Sequence, residues 1–189
     1  MTKEILIEEL IAYARRFPEE RSTVDRFIGF LMREARSYDR DAIGHVTASI
    51  WILDPTRSCV LLTHHKKFNQ WIQLGGHADG DMNLQSVALK EGFEESGLTD
   101  IKLLSTEIFD IDIHDIPTQC ATHYDVRYIA VSPTLEYSVS EESHDLRWSP
   151  LEQVHTLNKT SKSVARMVQK TLPFTLLPTS GIPHEETTS

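Results

Sequence analysis

Glu91, Glu94 and Glu95 fall inside the segment Lys90-Glu91-Gly92-Phe93-Glu94-Glu95-Ser96-Gly97. On a helix, spacings of three and four residues bring all three carboxylates onto one face within about a turn. Left bare, that arrangement is unfavourable: like charges at this spacing repel, and no basic residue at a matching position is expected to relieve them. Two readings fit. One is a solvated acidic surface. The other is a binding site for Mg²⁺ or Mn²⁺, hard cations that take oxygen ligands and keep several waters for a phosphate partner. The order of features favours the second reading. A short strand, the glycine-rich turn Gly75-Gly76-His77-Ala78-Asp79-Gly80-Asp81, the glutamate-bearing helix and the terminal Gly97 follow one another.

A second cluster contains Asp112, His114, Asp115, His123 and Asp125. If residues 108–113 and 123–129 pair as a hairpin, some of these side chains share a face, and Asp112 and His114 alternate with Ile111 and Ile113 as a strand requires. The cluster reads either as an additional metal site or as polar residues bonded to one another on the open side of a sheet, with the latter favoured. For substrate contact, His77, His114 and His123 are the candidates to converge. Tyr124, Phe109 and Trp51 could stack on a base, although each is a core residue by default. Lys66 and Lys67 read equally as phosphate contacts and as an exposed turn.

The elements that must position these residues are visible in the patterning. In residues 1–40, Ile7, Leu10, Ile11 and Ala14 share one helical face, Pro18 interrupts, and Val24, Phe27, Ile28, Leu31 and Ala35 recur at helical spacing. Ser22-Thr23-Val24-Asp25 resembles a capping box for the second helix. These helices are expected to act as scaffold, with a homodimer contact as a second use. Residues 43–53 and Cys59–Thr63 read as strands of a hairpin joined by Asp54-Pro55-Thr56-Arg57-Ser58. Trp71 to Leu74 reads as another short strand. Leu84 to Ser96 reads as a helix stopped by Gly97. Strands follow over 101–113 and 123–131 and near Trp148. A closing helix over 161–171 turns Val164, Met167 and Val168 inward. Mixed strands and helices in this order predict a sheet covered by helices on both faces. The divisions are an N-terminal helical extension (1–40), a main domain (41–175) and a flexible tail (176–189).

From Gly76 to Leu98 the sequence resembles the Nudix box, G-x5-E-x7-R-E-U-x-E-E-x-G-U with U aliphatic. Gly76 matches the first glycine, Glu91 the acid after the arginine, Glu94 and Glu95 the paired acids, and Gly97-Leu98 the end. The likeness extends through the approach His65–His77 and through Trp148-Ser149-Pro150-Leu151, covering about residues 43–175. Three positions depart. Met82 fills the first glutamate slot, with Asp81 beside it. Lys90 replaces the arginine, keeping the charge without the planar fork. Gly92 fills an aliphatic slot, at a cost of about 1 kcal/mol in local helix stability relative to alanine.

The resemblance implies an α/β fold, a Nudix-type α/β/α sandwich with a mixed β-sheet and an N-terminal helical extension. It implies hydrolysis of a diphosphate bond in a nucleoside diphosphate linked to another moiety. Glu91, Glu94 and Glu95 would be catalytic carboxylates holding Mg²⁺ or Mn²⁺, with the Gly76 carbonyl as a further ligand. Glu142, or its neighbour Glu141, is the candidate general base. Lys66, Lys67, His77, His114 and His123 are the candidate substrate contacts. The departures leave a second reading, a catalytically weak domain that senses a nucleotide.

Composition narrows the partners. The chain has 189 residues, 40% of them hydrophobic, enough for one domain with a modest extension. The net charge of −9 and the lack of a basic stripe argue against long nucleic acid and anionic membrane as partners. Cys59 and Cys120 form no metal-binding or redox spacing and read as reduced thiols. The opening Met1-Thr2-Lys3-Glu4 is unlike a signal peptide, and no apolar run approaches a membrane span. The expected compartment is the cytoplasm, and the expected partner is a small nucleotide-like diphosphate.

Overall fold

The computed structural model describes residues 2–116, 121–141, 143–157 and 162–176. Its central strand, β1 (Gly44–Leu53), explains most of the architecture. Alternate side chains on a strand point to opposite faces. The even positions are Val46, Ala48, Ile50 and Ile52. The odd positions begin polar, with His45, Thr47 and Ser49, and end apolar, with Trp51 and Leu53. Both faces are covered, and β1 is buried from His45 to Leu53.

Strand β1 runs parallel to β7 (Ala121–Val131) along its whole length and antiparallel to β4 (Leu74–His77). Strands β5 (Lys102–Leu103) and β6 (Asp110–Ile116) add antiparallel to β7. On the other side, β2 (Cys59–His65) pairs with β3 (Gln70–Ile72) and β8 (Ser143–Pro150). The sheet is therefore mixed. The even side chains of β1 pack with Val126 and Tyr128 against helices α1 (Lys3–Arg16), α2 (Arg21–Arg33) and α3 (Leu84–Ser96). Trp51, Leu53 and Ile129 pack on the other face with Val164 and Met167 of α4 (Lys162–Thr175). This is the expected sandwich, with helices on both faces of a mixed sheet.

Several local expectations are corrected. The residues 22–25 form no capping box: α2 continues directly from a 3-10 turn at Pro18–Glu20, its N-cap is Glu20, and no side chain bonds the cap. The proposed hairpin is joined only at Leu53↔Val60, because β4 takes the rest of that edge of β1 and β8 takes β2. Trp71 to Leu74 is two strands, with the break at Gln73: β3 bonds β2 and β4 bonds β1. Glu94 does have a basic neighbour, with Lys90 Nζ 3.5 Å from its carboxylate, but both groups are more than half exposed, so the pair relieves little. The tail beyond residue 176 and Cys120 lie outside the described residues. Among the described residues, no helix is long and apolar enough to cross a membrane.

The N-terminal helices bury Leu6, Leu10, Tyr13 and Phe27 in the same cluster as β1. A charge network ties them to the far layer. Asp110, fully buried, accepts hydrogen bonds from Arg166 at 2.8 Å and Lys170 at 2.7 Å, both on α4. Lys170 also pairs with Glu20, which accepts from Tyr13 Oη at 2.7 Å.

Gly92 has a packing reason. A Cβ there would stand 3.1 Å from Ile50 Cγ2, 3.3 Å from Ile101 Cδ1 and 3.4 Å from Ile52 Cδ1. The three isoleucines fill the volume that an aliphatic residue at 92 would occupy, so α3 lies close on β1 and stays continuous through the glycine. Gly92→Leu is expected to destabilise the fold by about 1–3 kcal/mol through overpacking, read as a lower urea midpoint. An unchanged midpoint would show that α3 is not packed this closely.

Candidate functional site

Asn83 caps α3, its Oδ1 accepting from the Ser86 N–H. Gly97 ends the helix in the left-handed region at φ 66°, where a side chain would be disfavoured. Between these ends the helix faces β4. A Cβ on Gly75 would lie 2.6 Å from Ser49 Cα, so only glycine lets β4 approach β1 here. A Cβ on Gly76 would lie 2.5 Å from both the carboxyl carbon and Oε2 of Glu91. The Glu91 carboxylate thus rests directly on the glycine backbone. Glu95, only 5% exposed, accepts a hydrogen bond from the Gly75 N–H at 3.1 Å. Glu94 points outward and is half exposed.

The following turn is fixed to the N-terminal region. The Gly80 N–H donates to the Tyr38 carbonyl at 2.9 Å, and Arg40 pairs with Asp79. Asp81 accepts from the Asn83 N–H at 2.8 Å, within the turn that opens α3. Met82 is partly exposed.

Beside this corner lies the polar half of the sheet's α4 face. Pairing registers place His114 opposite His123 and His123 opposite His45, in one row across β6, β7 and β1. His77 joins the row from β4. Its ring centroid is 5.0 Å from that of His45 and 5.2 Å from that of His123, while His114 and His123 are 5.3 Å apart. Convergence of His77, His114 and His123 is therefore as expected, but His45 was missed. It was visible only as one more residue in a strand-forming run, although the polar alternation His45, Thr47, Ser49 marked that side of the strand.

The aspartates of the second cluster are engaged chiefly elsewhere, although Asp112 keeps a contact with His114 at 3.5 Å. Arg127, 3% exposed, takes Asp125 at 2.7 Å, Asp110 at 3.0 Å and Asp112 at 3.2 Å. Asp125 also accepts from Thr47 at 2.9 Å and Ser49 at 2.8 Å. Asp115 accepts from Thr122 at 2.7 Å on the surface. Asp125 and Asp112 are thus held in an ion-pair network. Tyr124 stacks on Phe30, with centroids 3.7 Å apart, and Trp51 and Phe109 are buried. All three aromatic rings serve packing.

The open space is a cleft of about 130 Å³ whose walls include Lys67, Phe68, Gly76, His77, His114 and His123. An adjoining cleft of about 230 Å³ shares Phe68, Gln73 and His114 and reaches Asp112 and Arg127. Lys67 lines the first cleft. Lys66 instead donates to the Glu141 carbonyl at 2.5 Å, so it secures the loop before β8. Glu142 lies outside the described residues.

A scan against protein-family models matches residues 44–170 to the NUDIX domain. The chain belongs to the Nudix family. As a Nudix hydrolase it cleaves phosphoanhydride bonds. Solved structures agree on the fold. A Nudix hydrolase from Clostridium perfringens is 22% identical, with a TM-score of 0.59 over 69% of this chain and 97% of its own. A Caenorhabditis elegans Ap4A hydrolase is 16% identical, with a TM-score of 0.59 over 68% and 96%. The Escherichia coli dihydroneopterin triphosphate pyrophosphohydrolase is 13% identical, with a TM-score of 0.53 over 68% and 95%. No curated protein sequence is significantly similar to the chain.

The site also has an acid signature. Burial holds the His123 imidazole down to about 3, with the facing His114, His45 and His77 adding to the effect. Burial and His45 likewise lower His77. Burial works to raise Asp112, but the hydrogen bond to His114 and the charge of Arg127 outweigh it and hold the carboxyl at about 2. The buried imidazoles bind protons less readily than in the unfolded chain, so their contribution to stability is full above about pH 6.5 and falls as acid is added. Asp112 contributes fully above about pH 3.9 and loses its contribution as the pH falls toward its folded value. Urea midpoints are expected to drop in two stages on acidification, and His123→Asn to shrink the first. A flat profile from about pH 7 to about pH 4 would contradict the burial of these rings.

Proposed function

We propose that this Nudix hydrolase cleaves a diphosphate bond in a nucleoside diphosphate linked to a second moiety, using Mg²⁺ or Mn²⁺. One observation carries the reading: Glu91 rests on Gly76 while Glu95 binds the adjacent Gly75 N–H. That contact brings two helix carboxylates against the strand that carries Gly75 and Gly76, and Gly76 also lines the cleft. The donors are all oxygen, which suits a hard divalent cation. Glu91, Glu94, Glu95 and the Gly76 carbonyl would hold it. When bound, such ions neutralise phosphate charge and acidify an attacking water.

The remaining roles fall to side chains around the cleft. Lys67, on the cleft wall, would receive a terminal phosphate. His77, His114 and His123 form the wall against which the rest of the substrate would lie. Glu142 is proposed to take the water's proton; Lys66 binds the carbonyl of the residue before it. Ap4A and dihydroneopterin triphosphate, named for two structural relatives, are polyphosphates and belong in a substrate panel with nucleotide sugars.

With Mg²⁺ and such a panel, turnover is expected with at least one substrate. Glu94→Gln/Glu95→Gln is expected to lower kcat by at least about 100-fold, on the scale of losing an electrostatic stabiliser, with the far-UV spectrum unchanged. Equal turnover by the variant would remove the glutamates from catalysis. Nucleotide binding without turnover by the wild-type chain would replace hydrolysis with sensing.

A further inference from the structure

His45, His77 and His123 converge from β1, β4 and β7, and one ring nitrogen of each lies within 4.8 Å of the other two. His45 is 2% exposed, and its Nδ1 lies 3.0 Å from the Ala42 carbonyl oxygen. A carbonyl only accepts, so in the neutral ring the proton sits on Nδ1 and Nε2 carries a lone pair. That Nε2 is buried without a hydrogen-bond partner, as is Nε2 of His123. Buried ring nitrogens left without a partner are unfavourable. A metal ion at the centre would satisfy them together. Holding the second ring nitrogen on a backbone carbonyl is also how metal-binding histidines are commonly fixed in tautomer and orientation.

The surroundings select the kind of ion. Arg127 takes Asp125 and Asp112 away from the trio, which leaves nitrogen donors. Imidazole suits zinc and neighbouring transition metals, whereas Mg²⁺ prefers oxygen. With no two of the three nitrogens more than 4.8 Å apart, each would need to move inward by at most about 0.8 Å to reach tetrahedral zinc bonds of about 2.0–2.1 Å.

We infer that His45, His77 and His123 form a second metal site, selective for Zn²⁺ over Mg²⁺ and separate from the glutamates of the box. His77 and His123 also line the cleft, so the coordination position left by three protein ligands opens toward the substrate. A water or a phosphate oxygen would fill it. Zinc binding is read without substrate, so its failure and a failure of the proposed hydrolysis are distinguishable.

The test is equilibrium dialysis of the untagged full chain against Zn²⁺ in excess Mg²⁺, with metal content measured per chain. Wild-type protein and Glu94→Gln/Glu95→Gln are both expected to retain one zinc ion. His77→Asn and His123→Asn are each expected to weaken binding by at least about 10-fold, the lower end of what losing even an orienting partner costs. His45→Gln should do the same, and the two less buried positions carry the test if that variant fails to fold. No zinc on the wild-type chain, zinc retained by both His77→Asn and His123→Asn, or zinc lost with the glutamates would each overturn the inference.

Discussion

Three missing Cβ atoms let helix α3 and strands β1 and β4 meet. At Gly75 a side chain would strike the Ser49 backbone, at Gly76 the Glu91 carboxylate, and at Gly92 the isoleucines under the helix. Close approach at all three places turns a row of helix glutamates toward a strand. Without it, Glu95 would not reach the Gly75 N–H, and Glu91 would face solvent as part of an ordinary acidic surface. Repulsion among the carboxylates is tolerable here because Glu95 is hydrogen-bonded, Glu91 lies against the glycine backbone and Glu94 remains in water. A divalent cation would neutralise what repulsion remains.

The same strand that accepts the helix on one face sets out the cleft on the other. Along β1 the odd positions change from His45, Thr47 and Ser49 to Trp51 and Leu53. The apolar end closes under α4 with Val164 and Met167, while the polar end stays open to the cleft. Arg127 and its aspartates lie between the two regimes. Burying Arg127, Asp110 and Asp125 is favourable only when each is well paired. Here the guanidinium uses all three of its nitrogens, and Asp110 gains Arg166 and Lys170 as well. Because Lys170 also reaches Glu20 and Tyr13, the N-terminal helices are fastened through this network as well as through their apolar face.

Much of this was legible in the sequence, and the physical reason differs by element. Helix α3 was readable to the residue because its signals are local: a glycine stop, helical spacing and three carboxylates. The pairing of His114 with His123 follows from strand parity once a hairpin is assumed, whereas His77 joins them from a separate strand. Pairing partners were less legible, since β-strand neighbours are set by tertiary contacts. The run 71–74 therefore looked like one strand, although Gln73 separates two ladders. Residues 22–25 had the composition of a cap but lie inside a helix that begins earlier. His45 was overlooked because a histidine in a run of strand formers gains meaning only from the strands beside it. The fate of the aspartates was hidden for a related reason: nothing local indicates that Arg127 points among them.

The most direct test is anomalous diffraction from crystals grown with saturating Mn²⁺. A peak bound by carboxylate oxygens of the Glu91, Glu94 and Glu95 set together with the Gly76 carbonyl oxygen is expected, because the Glu91 carboxylate lies against Gly76. Ordered glutamates with no manganese between helix α3 and strand β4 would contradict the metal role assigned to this corner.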